Sequence, residues 1–165
     1  MDAIAALKKR RSVRKYAPRA VPRELVEEIV DCGRLAATAN NKQPWLFIAV
    51  TDGETRERVA ALTDYGKFIA EAPACIAVFC KHAEKYYLED GSAATQNMLV
   101  AAAALGLGSC WVAGDKKAYA PEVRALLGVP QEFTLVSLVS LGYPADSRGR
   151  ASKRLLAEVM RWERY

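Results

Sequence analysis

The run Met98 to Ala113 is the most apolar stretch of the chain and leaves the fold the least freedom. A bilayer span needs roughly 20 apolar residues. This run is shorter and carries Gly106 and Gly108, so it reads as a buried helix followed by a buried strand. Ala and Leu content extends the helix to Gly91–Leu105, and the two glycines stand where its C-cap belongs. From Gln96 to Leu107 the pattern is apolar nearly all round, more than a one-sided surface helix needs. A chain of 165 residues is long enough to bury a real core and fits one domain, residues 1–165.

The remaining elements are read from periodicity and punctuation. Ala3 to Lys9 is a short helix leading into a basic run. A second helix opens near Pro22, with Glu24 favouring its N-terminal dipole, and carries Leu25, Val26, Ile29 and Val30 inward to about Ala37. Leu46 to Thr51 and Ala74 to Cys80 are strands, with a helix over Glu54 to Thr63 between them. Trp111 to Ala113 forms a strand edge, Pro121 to Leu127 a short helix and Thr134 to Gly142 a Val- and Leu-rich strand. Pro144 begins an irregular basic tail. These elements predict an α+β fold, with helices around one mixed central sheet.

Charged residues at 26% and hydrophobic ones at 52%, without a low-complexity tract, describe a folded protein rather than a disordered one. The 24 Lys and Arg against 19 Asp and Glu give +5, which suits anionic ligands without selecting among them. Met1 to Arg14 is basic and lacks a signal-peptide core, so a cytoplasmic location and no membrane attachment are expected. Cys32, Cys75, Cys80 and Cys110 form no Cys-x-x-Cys pair and lie away from the single histidine, His82. No metal site is expected, and Cys75, Cys80 and Cys110 read as buried free thiols.

Three segments carry chemistry. Arg10, Arg11, Ser12 and Arg14 place three guanidinium groups and a hydroxyl within five residues, a set able to grip a phosphate by charge-assisted hydrogen bonds. The same pentapeptide also fits a solvated basic face. In Thr38-Ala-Asn-Asn-Lys-Gln-Pro-Trp45 a polar turn with Asn41 and Gln43 is pinned by Pro44 and Trp45 before a buried strand. Its amides could read a heterocycle edge, or it could be an ordinary helix-to-strand turn. Gly106-Leu-Gly-Ser-Cys-Trp-Val-Ala-Gly114 sets three glycines around a strand, permitting close backbone approach to a planar ligand. Rossmann and P-loop glycine patterns are absent, as is a Gly-x-Ser-x-Gly elbow, and His82 lies in a charged, exposed-looking segment. Anion-binding groups without classical catalytic residues are what a cofactor-run enzyme presents.

In this order the motifs resemble those of the nitroreductase family of FMN enzymes, in a short form, over nearly the whole chain. Arg10-Arg11-Ser12-Val13-Arg14-Lys15-Tyr16 is similar to the signature that grips the FMN phosphate and, through Arg14, approaches the flavin's pyrimidine edge. Thr38 to Trp45 resembles the turn that reaches the flavin from the other subunit, with Thr38 and Asn41 as its contacts. The resemblance lays the backbone of Ala113 and Gly114 along the ring, the Gly114 amide near N5. Leu141-Gly-Tyr-Pro-Ala145 and Arg154 resemble the closing motif that returns a basic residue to the phosphate. Departures are Thr38 for serine, Ser152 where relatives have a second basic residue, with Lys153 or Arg150 as substitutes, and Tyr65 in place of a flavin-contacting asparagine. Lys81 to Asp90 is where a substrate-covering excursion is trimmed.

The resemblance implies a homodimer with FMN at the subunit interface and no catalytic side chain of its own. NADH or NADPH would pass electrons through the flavin to a small acceptor such as a nitroaromatic or quinone, by a ping-pong mechanism. The alternative is a non-catalytic or flavin-handling FMN-binding protein; a nucleic-acid binder using Arg10 to Lys15 is a third reading, which the motifs disfavour. The tail, with Leu155, Leu156, Val159, Met160, Trp162 and Tyr165 at near-helical spacing, is expected to bury its apolar side on the neighbouring chain.

Overall fold

The fold is described from a computed structural model, which covers residues 1–146 and 152–165. Strands β1 (Trp45–Val50), β2 (Ala74–Lys81), β3 (Gly108–Ala113) and β4 (Phe133–Gly142) form one sheet in the order β1-β2-β4-β3. Helices are α1 (Ala3–Lys9), α2 (Arg23–Arg34), α3 (Gly53–Leu62), α4 (Tyr87–Ala104), α5 (Ala120–Leu126) and a single turn, α6 (Leu156–Val159). The α+β class is as expected. Among the described residues all three strand pairings are antiparallel, however, and the one parallel component is an isolated bridge between Ser12 and Ser109. The expected mixture of directions therefore shrinks to that bridge.

The reason lies in how the sheet is covered. Alternate residues of β2 enter two different cores. Cys75, Ala77 and Phe79 pack with Val59 of α3 and Val123 of α5, while Ala74, Ile76, Val78 and Cys80 pack with Ile29 of α2 and Met98 and Leu99 of α4. A strand buried on both faces reads as a continuous apolar run, the pattern usually given by parallel strands, whatever its direction. Strand direction is not encoded there.

The long apolar run divides as its glycines dictate. Gly106 adopts φ +80° and closes α4: its amide donates to Ala103 O at 3.2 Å, and the Leu107 amide to Ala102 O at 2.8 Å. This is a Schellman cap, in which glycine tolerates the left-handed backbone. Gly108 has a different task. A Cβ there would lie 2.8 Å from Val13, so its bare backbone lets the N-terminal segment rest on β3. Helix α4 begins at Tyr87, earlier than its composition suggests, so the Lys81–Asp90 segment is a tight turn plus the first turn of α4. Among the described residues no helix is long and apolar enough to cross a membrane.

Candidate functional site

The basic pentapeptide is an extended segment laid against the outer edge of β3. Ser12 bridges Ser109, and the Val13 amide donates to Ser109 O at 2.9 Å. On its other side the chain following β4 closes over it. Ala17 N donates to Tyr143 O at 2.8 Å, Ala145 N to Lys15 O at 3.0 Å, and Arg11 Nη2 to Asp146 O at 2.7 Å. The first and last motifs of the sequence are thus brought together.

Beneath this segment lies a buried polar row. Tyr16 donates to Val13 O and is hydrogen-bonded to Ser140 Oγ, both at 2.6 Å. Burial raises the Tyr16 pKa against the opposing Ser140 hydrogen bond, so the phenol keeps its proton. Burial also pushes the Cys110 thiol up, opposed by Arg14, by a hydrogen bond with Ser12 and by Arg10. Arg10, Ser12 and Arg14 therefore share one microenvironment around Cys110. Arg14 also lies over the Phe68 ring, 5.8 Å from its centroid.

Ala113 and Gly114 end the same strand edge. From Ser109 to Ala113 the edge runs about 13 Å at strand rise, so the arginine segment lies at one end and the exposed Ala113, followed by the buried Gly114, at the other. The Gly114 amide, expected near flavin N5, donates to Val136 O at 3.0 Å, and the Asp115 amide shares that acceptor at 3.2 Å. The cause is a bulge in β4: Ser137 pairs with Val78 and Leu135 with Phe79, and the skipped Val136 turns its carbonyl to the end of β3. Gly114 is glycine because a Cβ would lie 2.6 Å from Leu135.

The Thr38–Trp45 turn stands elsewhere. It contains a 3-10 turn, Ala39–Asn41, and holds Asn40, Asn41 and Gln43 at φ of 50°, 53° and 49°. Thr38 Oγ1 accepts from Gln43 N at 3.2 Å, and Asn41 is exposed. The turn enters β1, at the opposite edge of the sheet from β3. Three strand spacings separate those edges, about 14 Å. Following the register, Trp45 pairs with Cys80 and Cys80 with Thr134, whereas Ser109 pairs with Leu141, about 23 Å further along β4 at strand rise. Arginine segment and turn occupy diagonally opposite corners of the sheet.

Arg154 Nη2 donates to Glu158 O at 3.0 Å within the exposed tail, where Ser152 and Lys153 also lie, and among the described residues no hydrogen bond joins it to Arg10, Arg11 or Arg14. Arg150 falls outside the described residues. Tyr65 is exposed, with Lys117 Nζ 6.0 Å from its ring centroid. His82 is exposed, Cys75, Cys80 and Cys110 are buried free thiols, and Cys32 is half-buried. Among the described residues no group of three or more His, Cys, Asp or Glu could hold a metal ion. The sequence reading missed Asp90, which is 5% exposed and accepts the Ala39 amide on Oδ1 at 3.2 Å. Its one signal was position: an acid in the first turn of a long helix, normally read as a partner of the helix dipole.

A three-layer α+β sheet with a guanidinium-lined strand edge presents a donor set suited to an anionic ligand. The chain belongs to the nitroreductase family, whose family model matches residues 7–65 and 62–143. It is 38% identical over 154 residues to a Methanothermobacter thermautotrophicus protein named "Putative NADH dehydrogenase/NAD(P)H nitroreductase", covering 90% of this chain and 81% of that one. Among solved structures it superposes on an FMN-dependent nitroreductase from Clostridium difficile with TM-score 0.91 and 28% identity, covering 98% and 99% of the two chains. A chain from Desulfovibrio desulfuricans solved "in complex with fmn" matches with TM-score 0.84 and 30% identity, covering 100% and 98%.

Proposed function

We propose that this protein is an FMN-dependent oxidoreductase that takes electrons from NADH or NADPH and passes them to a small acceptor such as a nitroaromatic or quinone. The observation that carries it is the strand edge of β3, with Arg10, Ser12 and Arg14 at one end and the backbone of Ala113 and Gly114 at the other. That donor set fits a long cofactor with a phosphate at one end and a ring at the other. Bound there, FMN would supply the redox chemistry, accepting hydride from the nicotinamide and delivering electrons onward.

The chain's own part is orientation and charge. Arg10, Ser12 and Arg11 hold the phosphate, with Arg154 or Lys153 as further cations. Arg14, set over Phe68, places positive charge where negative charge grows on reduction. Gly114 contributes close backbone packing and no amide, since that amide is engaged by Val136. Donor and acceptor share one face in turn, which makes turnover ping-pong.

The diagonal separation of turn and arginines makes a second copy of the chain part of the reading. Thr38 and Asn41 serve the flavin held by the other subunit, so the working unit is a homodimer with FMN at the interface. Free surface supports this. Met1 before α1 and Ile4 and Leu7 within it are each more than half exposed, and in the tail Leu155, Leu156 and Trp162 are 71%, 70% and 77% exposed. Ala93, Gln96, Val100 and Ala103 form a half-covered stripe on α4. A groove of about 270 Å³ beside β1 is lined by Val26, Val30, Phe47 and Ala49 together with Glu27, Asp31 and Arg34, so its floor is apolar and its rim charged. The exposed apolar side chains of α1 and the tail are of the kind that marks an interface.

Anaerobic titration tests the chemistry. The purified protein should be yellow, bleach with NADH or NADPH, and regain colour with a quinone or nitroaromatic. A yellow protein that neither cofactor bleaches would instead be a passive flavin binder, and a colourless one that FMN cannot reconstitute would remove the reading.

A further inference from the structure

The Thr38–Gln43 turn carries three non-glycine residues in the left-handed region, which Asn40 and Asn41 tolerate and which Gln43 adopts only where the surroundings hold it. Its internal bonds, Gln43 N to Thr38 Oγ1 and Gln43 Nε2 to Asn41 O, shape the loop without fixing it to the body. The Lys42–Glu84 pair, at 3.9 Å and largely solvated, adds little. The hydrogen bond that reaches from the turn into the buried frame is Ala39 N to Asp90 Oδ1. Asp90 is a firm post: its own amide donates to Tyr86 O at 2.9 Å, and next to it Gly91 seats α4 so tightly that a Cβ would lie 2.9 Å from Cys80 Sγ and Val136.

For stability alone this is a poor use of a carboxylate. Asp90 Oδ2 is buried with no hydrogen-bond partner among the described residues, and a buried acceptor left unmatched is costly. We infer that Asp90 is a positioning residue, which pins the Thr38–Gln43 turn in its left-handed form so that Asn41 meets the flavin held by a second copy of the chain. The inference rests on the shared-site reading above and assigns the turn its anchor.

Two variants break the bond from opposite sides. Asp90→Ala removes the acceptor. Ala39→Pro removes the donor at the first position of a helical turn, preceded by an extended Thr38, where proline is tolerated, and leaves α4 untouched. Each should lower kcat/KM of the homodimer by about 10- to 100-fold, the scale of a roughly 1 Å misplacement, with dimer mass retained. Asp90→Asn keeps a carbonyl acceptor and should restore most of the activity.

Subunit mixing then separates positioning from general damage. The control pair is Arg10→Ala/Arg14→Ala with Asn41→Gly, whose hybrids contain one intact site and should regain activity. Asp90→Ala, or Ala39→Pro if that variant alone folds, should regain activity against the arginine variant and none against Asn41→Gly. If the control pair does not recover despite proven exchange, the shared-site reading falls and the inference with it. If the control recovers but Asp90→Ala is rescued by Asn41→Gly, or both variants keep full homodimer activity, the positioning role alone is overturned.

Discussion

Arg10 and Arg14 share the surroundings of Cys110, and in the proposed site they would meet different parts of a bound flavin. Arg10→Ala should weaken FMN by about 1 to 3 kcal/mol, the range for a charge-assisted hydrogen bond, read by flavin fluorescence titration. Arg14→Ala should lower the midpoint potential, because loss of a nearby cation destabilises the reduced form more than the oxidised one. A spectroelectrochemical titration giving an unchanged or raised potential would place Arg14 elsewhere. Gly108 tests the seat of the whole segment. An alanine Cβ 2.8 Å from Val13 must push the arginine strand off β3, and overpacking of this kind costs about 1 to 3 kcal/mol. Gly108→Ala should therefore weaken FMN about tenfold or more while leaving the Gly106 cap of α4 intact; tight FMN binding by this variant would show that Val13 need not sit where it does.

At the scale of elements, much was legible because local chemistry decides it. Helix α1 begins and ends where its composition says, Asp2 capping it by accepting Ala5 N at 2.9 Å, and Gly106 terminates α4 as a left-handed cap should. What escaped depends on distant partners. Gly108 resembled a second cap residue in the sequence, but its reason is Val13, 95 positions away. The bulge at Val136 that engages the Gly114 amide leaves no mark in a uniformly apolar strand. Asp90 looked like any acid at a helix start, since burial of one carboxylate has no periodicity to betray it. The thiols of β2 were readable as buried, and that burial has a measurable consequence. It pushes Cys75 and Cys80 from an ordinary value near 9 up to about 12, with Arg56 opposing at Cys75 and Asp90 reinforcing at Cys80. Folded-state values above unfolded ones mean that the native chain holds these protons more tightly. Their contribution is complete below pH 9 and is lost as pH rises toward 12. The melting temperature should be level from pH 7 to about 8.5 and fall progressively above 9. Cys75→Ala/Cys80→Ala should shallow that fall; an identical slope in the double variant would trace the alkaline loss to other groups.

At the scale of the whole molecule, the segment suited to phosphate and the turn suited to a ring edge stand at opposite corners of one sheet, while α1 and the tail expose large apolar side chains. The shared-site proposal has a second copy of the chain join the two. Family resemblance in the sequence pointed to both segments of the proposed site, but their separation became visible only through strand order and register. In the proposed shared site, homodimerisation and cofactor binding are linked, each stabilising the other by mass action. Serial dilution of the FMN-loaded protein, with mass by light scattering and bound flavin by fluorescence followed on the same samples, tests this most directly. Flavin should be released over the concentration range in which the dimer dissociates, and excess FMN should shift dissociation to lower protein concentration. A monomer that keeps its FMN fully bound would show that the site is built within one chain.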